Sequence, residues 1–184
     1  MTRDRPRRVV LGIGNPERGD DAAGREVARL LRKMLPQDVA VAELDGDAAD
    51  LLTRLEGAAA AFLVDACASD GSAGTVRRFD VVATPLPQHT FGLSTHALGL
   101  VEAIELARAL GQLPPRCIVY AIEGASFDAG APLSSPVAAA VAEVARRLCY
   151  SERTVKNVLQ DMTRRHNLRN RTHAVAYALR QGLI

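Results

Sequence analysis

Over the first 148 of the 184 residues, two kinds of segment alternate, and they differ in how their apolar and polar residues are spaced. Short apolar runs predict strands, and stretches with an apolar residue every three or four positions predict amphipathic helices. Residues 59–64 are uniformly apolar, which is typical of a strand buried on both faces of a parallel sheet. Strands are predicted at 8–14, 39–44, 59–64, 74–79 and 117–122, and helices at 20–34, 47–55, 95–110 and 135–148.

The order of these segments predicts the fold class. Alternating strands and helices favour an α/β fold, a three-layer sandwich with a mostly parallel sheet. The end of the chain differs, because residues 151–167 and 171–181 are helical segments joined by very short turns. We therefore expect an α/β domain over residues 1–148 and a small all-helical module over 149–184, which shares the helix 135–148.

The composition indicates a cytoplasmic protein without a membrane partner. Hydrophobic residues make up 48% of the chain, which is ordinary for a soluble globular protein. No apolar run is long enough to span a membrane, and the apolar run behind the basic N-terminus is too short for a signal peptide. The three cysteines are odd in number and lack metal-ligand spacing, so they are interpreted as reduced thiols.

The charge is unevenly distributed. The whole chain is +2, but residues 151–184 hold seven Lys and Arg against two acids, a net of +5 that leaves −3 for the rest. A solvated basic helix face accounts for such a tail by itself. A separate partner for the tail is the alternative.

Two glycines end the first predicted strand, and two acids follow it. Gly12 and Gly14 allow a tight turn at the carboxyl edge of the sheet, where the sites of α/β proteins form. A dinucleotide site is disfavoured because the third glycine is missing and acids would repel a pyrophosphate. A phosphate-binding P-loop is disfavoured because no Gly-Lys-Ser/Thr follows. Asp20 and Asp21 either cap the next helix, or one caps it and the other is left for chemistry.

Asp65 and His96 are the other candidate residues. Asp65 follows the apolar run 59–64 and is expected at the carboxyl tip of a buried strand; His96 is expected at the start of the helix 95–110. Each has a structural alternative, as a capping aspartate and as a packed histidine. Together with Asp21 they offer two carboxylates and one imidazole, which suit nickel or zinc or could activate a water, the histidine handling the proton. Cys67 is expected to be buried rather than nucleophilic.

Four motifs in the region of about residues 7–148 resemble the hydrogenase maturation endopeptidases. Each motif is weak alone, whereas four in the same order and spacing are fairly specific. They are the Gly-Ile-Gly-Asn and Gly-Asp-Asp-Ala-Ala-Gly segments at 12–15 and 19–24, Glu-Leu-Asp-Gly at 43–46, Phe-Leu-Val-Asp-Ala at 62–66, and Ser-Thr-His-Ala-Leu-Gly-Leu at 94–100.

This resemblance implies a function and a set of site residues. It implies an endopeptidase that removes a short C-terminal extension from the large-subunit precursor of a [NiFe] hydrogenase after nickel insertion. The nickel held by the substrate serves as the recognition signal, and the resemblance implies no permanently bound cofactor. By motif, the residues that contact this nickel and act in catalysis would be Asp21, Asp65 and His96, where position 21 is Glu or Asp in the family. The residues that bind the substrate would be Asn15, Asp45 and Gly46.

Peptidyl-tRNA hydrolases also open with a strand followed by Gly-x-Gly-Asn-Pro. In that family a histidine follows soon afterwards. Here residues 18–21 are Arg-Gly-Asp-Asp, and no histidine precedes His89. This second family is therefore disfavoured.

The tail resembles a LuxR-type helix-turn-helix over residues 143–157 and 168–179. The resemblance implies that Ser151 caps a recognition helix and that DNA is a partner. The first helix of the usual module is missing, so a helical appendage or a dimerisation element is the alternative to DNA binding. A transcriptional regulator whose α/β domain senses or dimerises is thus the alternative function. The implied DNA-contacting residues are Arg153, Thr154, Lys156, Asn157 and Arg171.

Overall fold

The computed structural model describes residues 7–36, 39–68, 71–87 and 99–149. Within these ranges the chain forms five strands, one short 3₁₀ helix (η1) and four α-helices. In chain order they are β1 (Arg8–Ile13), η1 (Gly19–Ala22), α1 (Ala23–Met34), β2 (Val39–Leu44), α2 (Ala48–Leu55), β3 (Ala60–Cys67), β4 (Val76–Asp80), α3 (Leu100–Ala109), β5 (Cys117–Glu123) and α4 (Ser135–Cys149).

The strands form one sheet in the order β2-β1-β3-β5-β4. The first three pairings are parallel, and only β4 runs antiparallel to its neighbour β5. The predicted α/β fold with a mostly parallel sheet is therefore confirmed. The apolar runs succeeded as signals because β3 and β5 are covered on both faces and leave little room for polar side chains.

Helices cover both faces of this sheet. On one face, α2 and α3 pack on the sheet through a core that includes Leu55, Ile104 and Leu11. On the other face lies α1, which approaches β1 so closely that a Cβ on Gly12 would lie 2.8 Å from the Cβ of Ala28. The close approach brings the segment before α1 down onto the strand ends.

In the first helix, the spacing of Val27, Leu30, Leu31 and Met34 predicts that these residues form its buried face, and this prediction is partly wrong. Val27 and Leu31 are buried, but Leu30 and Met34 are 37% and 53% exposed. At the positions where α1 comes closest to the strands, large side chains would hold the helix away from β1, so small residues complete the buried face beside Val27 and Leu31. These are Ala23, Gly24 and Ala28.

Two predicted boundaries near the candidate site are also wrong. Asp65 lies within β3 rather than after it, because β5 continues to pair with β3 as far as Cys67. The helix predicted from residue 95 begins at Leu100, because Gly99 is extended. His96 falls in the segment 88–98, outside the described residues.

The described elements belong almost entirely to one compact unit, Met1–Ala145. None of the described helices is long and apolar enough to cross a membrane. The tail from residue 150 onward lies outside the described residues, so the LuxR-type module and the domain division at residue 148 stay predictions. The same holds for the five residues assigned to DNA, which are Arg153, Thr154, Lys156, Asn157 and Arg171.

Candidate functional site

The pairing between strands β1 and β3 stops near their carboxyl ends. Their last paired residues are Gly12 and Val64, after which β3 continues beside β5 alone. β1 lies between β2 and β3 in the sheet, and the chain runs from β1 through α1 to β2 on one side and then through α2 to β3 on the other side, so the strand order changes direction between β1 and β3. Crevices that hold ligands form at such places in open α/β sheets.

Asp21 reaches this crevice through a tight turn after β1. Gly14 has a φ of +135°, and a Cβ there would lie 1.8 Å from the backbone oxygen of Asp21. The N–H of Gly14 donates to the carbonyl of Leu44 at 3.1 Å, which ties the turn to the end of β2. The Asp21 carboxylate accepts a hydrogen bond from the N–H of Asn15 at 3.3 Å. Only glycine at position 14 allows η1 to lie this close to the strand tip.

Asp65 enters the same crevice from β3. It is partly buried, and its Oδ1 accepts a hydrogen bond from the N–H of Ala66 at 2.9 Å. Burial, and after it the negative charge of Asp21, raise the pKa of Asp65 to about 7 against the opposing effect of the Ala66 N–H. The structure thus brings two of the three predicted catalytic residues together. Below about pH 7 Asp65 therefore keeps a proton that an ordinary aspartate would have lost.

A small cleft joins Asp65 to one of the residues predicted to bind substrate. Gly46, which has a φ of +93°, lines this cleft with Asp65. Leu100, the first residue of α3, also lines it, four residues after His96 in the sequence. The remaining walls are apolar and come from Ile13, Leu44, Leu51 and Ala103. Charges next to apolar walls interact more strongly than they would in open water.

The two other predicted substrate-binding residues take part in local turns. The Oδ1 of Asn15 accepts a hydrogen bond from the N–H of Glu17 at 2.9 Å. Asp45 is exposed, and its Oδ1 accepts from the N–H of Asp47 at 3.3 Å. These contacts shape the loops around the crevice, and a direct role in substrate binding stays a prediction.

Asp20 has a role that the sequence did not indicate. Neither α1 nor η1 has a side-chain cap, so the expectation that Asp20 or Asp21 caps the helix is wrong. Asp20 is instead fully buried and accepts hydrogen bonds from the N–H groups of Ala125, Ser126 and Ser134 at 2.7, 3.1 and 2.7 Å, and from the Ser134 hydroxyl at 2.9 Å. Burial alone would raise the pKa of Asp20, but these four donors outweigh it and hold the pKa below the ordinary value.

The two buried cysteines offer no nucleophile. Cys67 and Cys117 are buried, and burial raises the pKa of each thiol to about 12. The Cys67 thiol also donates to Glu123 at 3.4 Å, which further disfavours the thiolate. Among the described residues, no group of three His, Cys, Asp or Glu side chains is arranged to hold a metal ion. The third member of the predicted trio, His96, lies outside those residues.

A comparison with protein families decides what kind of protein carries this crevice. The family model described as HycI, hydrogenase maturation protease, matches residues 25–151, more than half of the chain. The chain belongs to the hydrogenase maturation protease family. The match includes Asp65 and His96, starts after Asp21, and ends before most of the basic tail.

Solved structures of similar proteins agree with this membership. The [NiFe] hydrogenase maturation protease HybD from Thermococcus kodakarensis is 26% identical, with a TM-score of 0.63 over 76% of this chain and 95% of that one. Two proteins from Escherichia coli show the same fold. The hydrogenase maturating endopeptidase HybD is 24% identical, with a TM-score of 0.65 over 80% of this chain and 92% of that one. The endopeptidase HycI is 23% identical, with a TM-score of 0.60 over 77% and 88%.

A comparison with curated proteins finds no match.

Because it belongs to this family, the maturation protease is a peptide-bond hydrolase. Its crevice at the ends of β1 and β3 is the candidate active site.

Proposed function

We propose that this maturation protease removes the C-terminal extension of a [NiFe] hydrogenase large-subunit precursor after nickel has been inserted. The observation that carries the proposal is the Asp21–Asp65 carboxylate pair at the strand ends. The similarity to a protein named as a [NiFe] hydrogenase maturation protease supports the class of substrate. We assign the nickel to the substrate, and the enzyme needs no metal of its own.

The electrostatics of the pair support recognition of a cation. Two carboxylates that share a partly buried site repel each other, and the raised pKa of Asp65 reflects part of that repulsion. A divalent cation reverses the effect, because it favours the ionised form of both groups and expels the proton from Asp65. A precursor that carries Ni²⁺ would therefore bind more tightly than one without it.

His96 completes the proposed set of nickel contacts. Nickel is a borderline cation that accepts both imidazole nitrogen and carboxylate oxygen. The family resemblance assigns His96 this role, and Leu100, four residues later in the chain, lines the same cleft as Asp65.

Peptide hydrolysis also needs a group that moves a proton. A base takes a proton from water while the water oxygen attacks the carbonyl carbon, and the departing nitrogen gains a proton as the C–N bond breaks. Histidine is the side chain that most often serves as such a group near neutral pH. We assign the proton transfer to His96, after the nickel contact has positioned the precursor, and the nickel contact during hydrolysis to Asp21 and Asp65.

A precursor-cleavage assay tests the proposal. Purified protein is incubated with the nickel-loaded or the nickel-free precursor, and the loss of the extension is followed by mass spectrometry. We expect cleavage of the loaded form alone, and Asp21→Asn, Asp65→Asn and His96→Ala should each slow it by about 100-fold or more. The control is Asp50→Asn, which removes a surface carboxylate that pairs with Arg54 on α2 and should leave the rate unchanged.

Two outcomes would contradict different parts of the proposal. If the wild-type protein does not shorten the loaded precursor, the proposed reaction is wrong. If His96→Ala processes the precursor at the wild-type rate, the reaction stands and the site assignment is wrong.

A further inference from the structure

We propose that Asp20 is a positioning residue: its carboxylate fastens the β5–α4 loop (residues 124–134) to η1 and so holds Asp21 beside Asp65. This inference rests on the proposed function, because it concerns the placement of a residue assigned to the nickel contact. Asp20 itself faces the loop and not the crevice, since its side chain is fully buried and accepts four hydrogen bonds from the loop.

The β5–α4 loop and the segment before Asp21 are joined along several residues. Backbone and side-chain groups on both sides contribute, so the carboxylate of Asp20 lies at the centre of a longer contact. The N–H of Asp20 donates to Ser126 O at 2.8 Å, the N–H of Gly130 donates to Glu17 O at 2.7 Å, and the Nε of Arg18 donates to Phe127 O at 3.2 Å.

The β5–α4 loop and the segment around η1 are closely packed against each other. Gly19 has a φ of +53°, and a Cβ there would lie 2.6 Å from the backbone oxygen of Ser126. A Cβ on Gly124 would lie 2.5 Å from the ring of Phe127 and 3.2 Å from the Cβ of Asp20. A displacement of the loop is therefore transmitted to η1 rather than absorbed between them.

Asp21 is the next residue in the chain and belongs to the same turn. Its N–H donates to the carbonyl of Arg18 at 3.0 Å, so the turn that Asp20 fixes also fixes the backbone of Asp21. Gly14 and Asn15 hold Asp21 from the strand side. Without the Asp20 carboxylate the loop side would keep only the backbone hydrogen bonds and the Arg18 contact. A catalytic group misplaced by about 1 Å can lose roughly 100-fold in rate.

Asp20→Asn tests the link with little change in shape. Oδ2 of Asp20 accepts three of the four hydrogen bonds, and Oδ1 accepts only the one from the N–H of Ser134. An asparagine can keep its oxygen toward the three donors, but its amide then faces the Ser134 N–H, donor against donor. A second variant, Ser134→Ala, removes only the hydroxyl donor. The control is Asp128→Asn, an exposed carboxylate of the same loop that accepts from the Ser126 hydroxyl rather than from a donor on η1.

The experiment measures cleavage of the nickel-loaded precursor and amide hydrogen exchange on the same proteins, with activity expressed per folded molecule. For Asp20→Asn we expect kcat to fall by about 10-fold or more, with KM changed by no more than about threefold. The amide protons of Ser134 and Asp21 should exchange faster than in the wild type. Ser134→Ala should show the same changes with smaller size, and Asp128→Asn should match the wild type in both measurements.

An unchanged kcat for folded Asp20→Asn would overturn the inference, since Asp20 would then only stabilise the loop. If Asp20→Asn does not fold, Ser134→Ala is used in its place. An unchanged kcat in Ser134→Ala, together with faster exchange of the Ser134 amide proton, would overturn the inference. If the wild type cleaves no precursor, the proposed function fails by itself. The exchange of the Asp21 amide in Asp20→Asn then still decides whether Asp20 holds Asp21, and wild-type protection in that variant would reject it.

Discussion

The pocket around Asp20 and the strand end around Asp65 both take a carboxyl group out of water, with opposite results. Three backbone N–H groups and one hydroxyl surround Asp20, and they lower its pKa despite burial. Among the described residues, Asp65 accepts from one N–H group, that of Ala66, and burial with the charge of Asp21 raises its pKa to about 7. The number of hydrogen-bond donors therefore decides the state of a shielded carboxyl group. With many donors the group stays ionised and stabilises the fold, and with few donors a nearby cation is needed to stabilise its ionised form.

This comparison predicts its largest effect on stability at Asp20. Asp20→Ala would leave the buried N–H groups of Ala125, Ser126 and Ser134 without their acceptor, and we expect the free energy of unfolding to fall by about 3 kcal/mol or more at pH 7. Urea denaturation with an unchanged m-value measures it. Since the folded pKa of Asp20 lies below the ordinary value of 3.8, the stabilisation is present above that pH and is lost as the pH falls through the folded pKa.

The matched control for this variant is Asp128→Ala in the same loop. Asp128 is exposed, so its removal should change the free energy of unfolding by no more than about 0.5 kcal/mol. If Asp20→Ala were no more destabilising than this control, the two carboxyl environments would not differ in the way described.

Much of the fold could be predicted from the sequence because its signals are local. β2 has the predicted bounds, and the helices α2 and α4 begin and end within a residue of their predicted positions. Errors arose where a distant element decides the boundary. Asp65 interrupts an apolar run, yet the strand continues because β5 supplies hydrogen bonds up to Cys67. The buried face of α1 depends on how closely β1 approaches, which apolar spacing does not reveal.

The candidate site shows the same division. The glycines at the carboxyl end of β1 and the carboxylate of Asp65 could be placed at one sheet edge, because the carboxyl ends of parallel strands meet there. The role of Asp20 could not be predicted, because its partners lie 105 to 114 residues away in the sequence. The raised pKa of Asp65 depends on burial and on Asp21 together, and both follow only from the packed structure.

A second prediction concerns the pH dependence of stability at Asp65. Its pKa is about 7 in the folded protein against an ordinary 3.8. Between these values the folded state keeps a proton that the unfolded state has lost, so this carboxyl group lowers stability as the pH rises through that window. Asp65→Asn cannot ionise, and its free energy of unfolding relative to the wild type should therefore increase between pH 4 and pH 8, by on the order of 1 kcal/mol after solvent screening. Urea denaturation at both pH values measures the change, and a constant difference would contradict the raised pKa.

The smallest expected effect separates the two causes of that raised pKa. Asp21→Asn removes the neighbouring charge but leaves the burial of Asp65, which is the larger cause. The pKa of Asp65 should thus fall below about 7 and stay above 3.8, as followed by the carboxyl ¹³C shift of Asp65 during a pH titration.

The control for this titration is Asp45→Asn, which removes an exposed carboxylate whose charge is not among the causes of the shift. A return of the Asp65 pKa to 3.8 in Asp21→Asn would mean that repulsion alone distinguishes Asp65 from Asp20, and that the scarcity of donors has no part in the difference. An unchanged pKa would have a more serious consequence. Two carboxylates that do not sense each other's charge are too far apart to share one cation, and the pair could not then be the nickel contact proposed for this crevice.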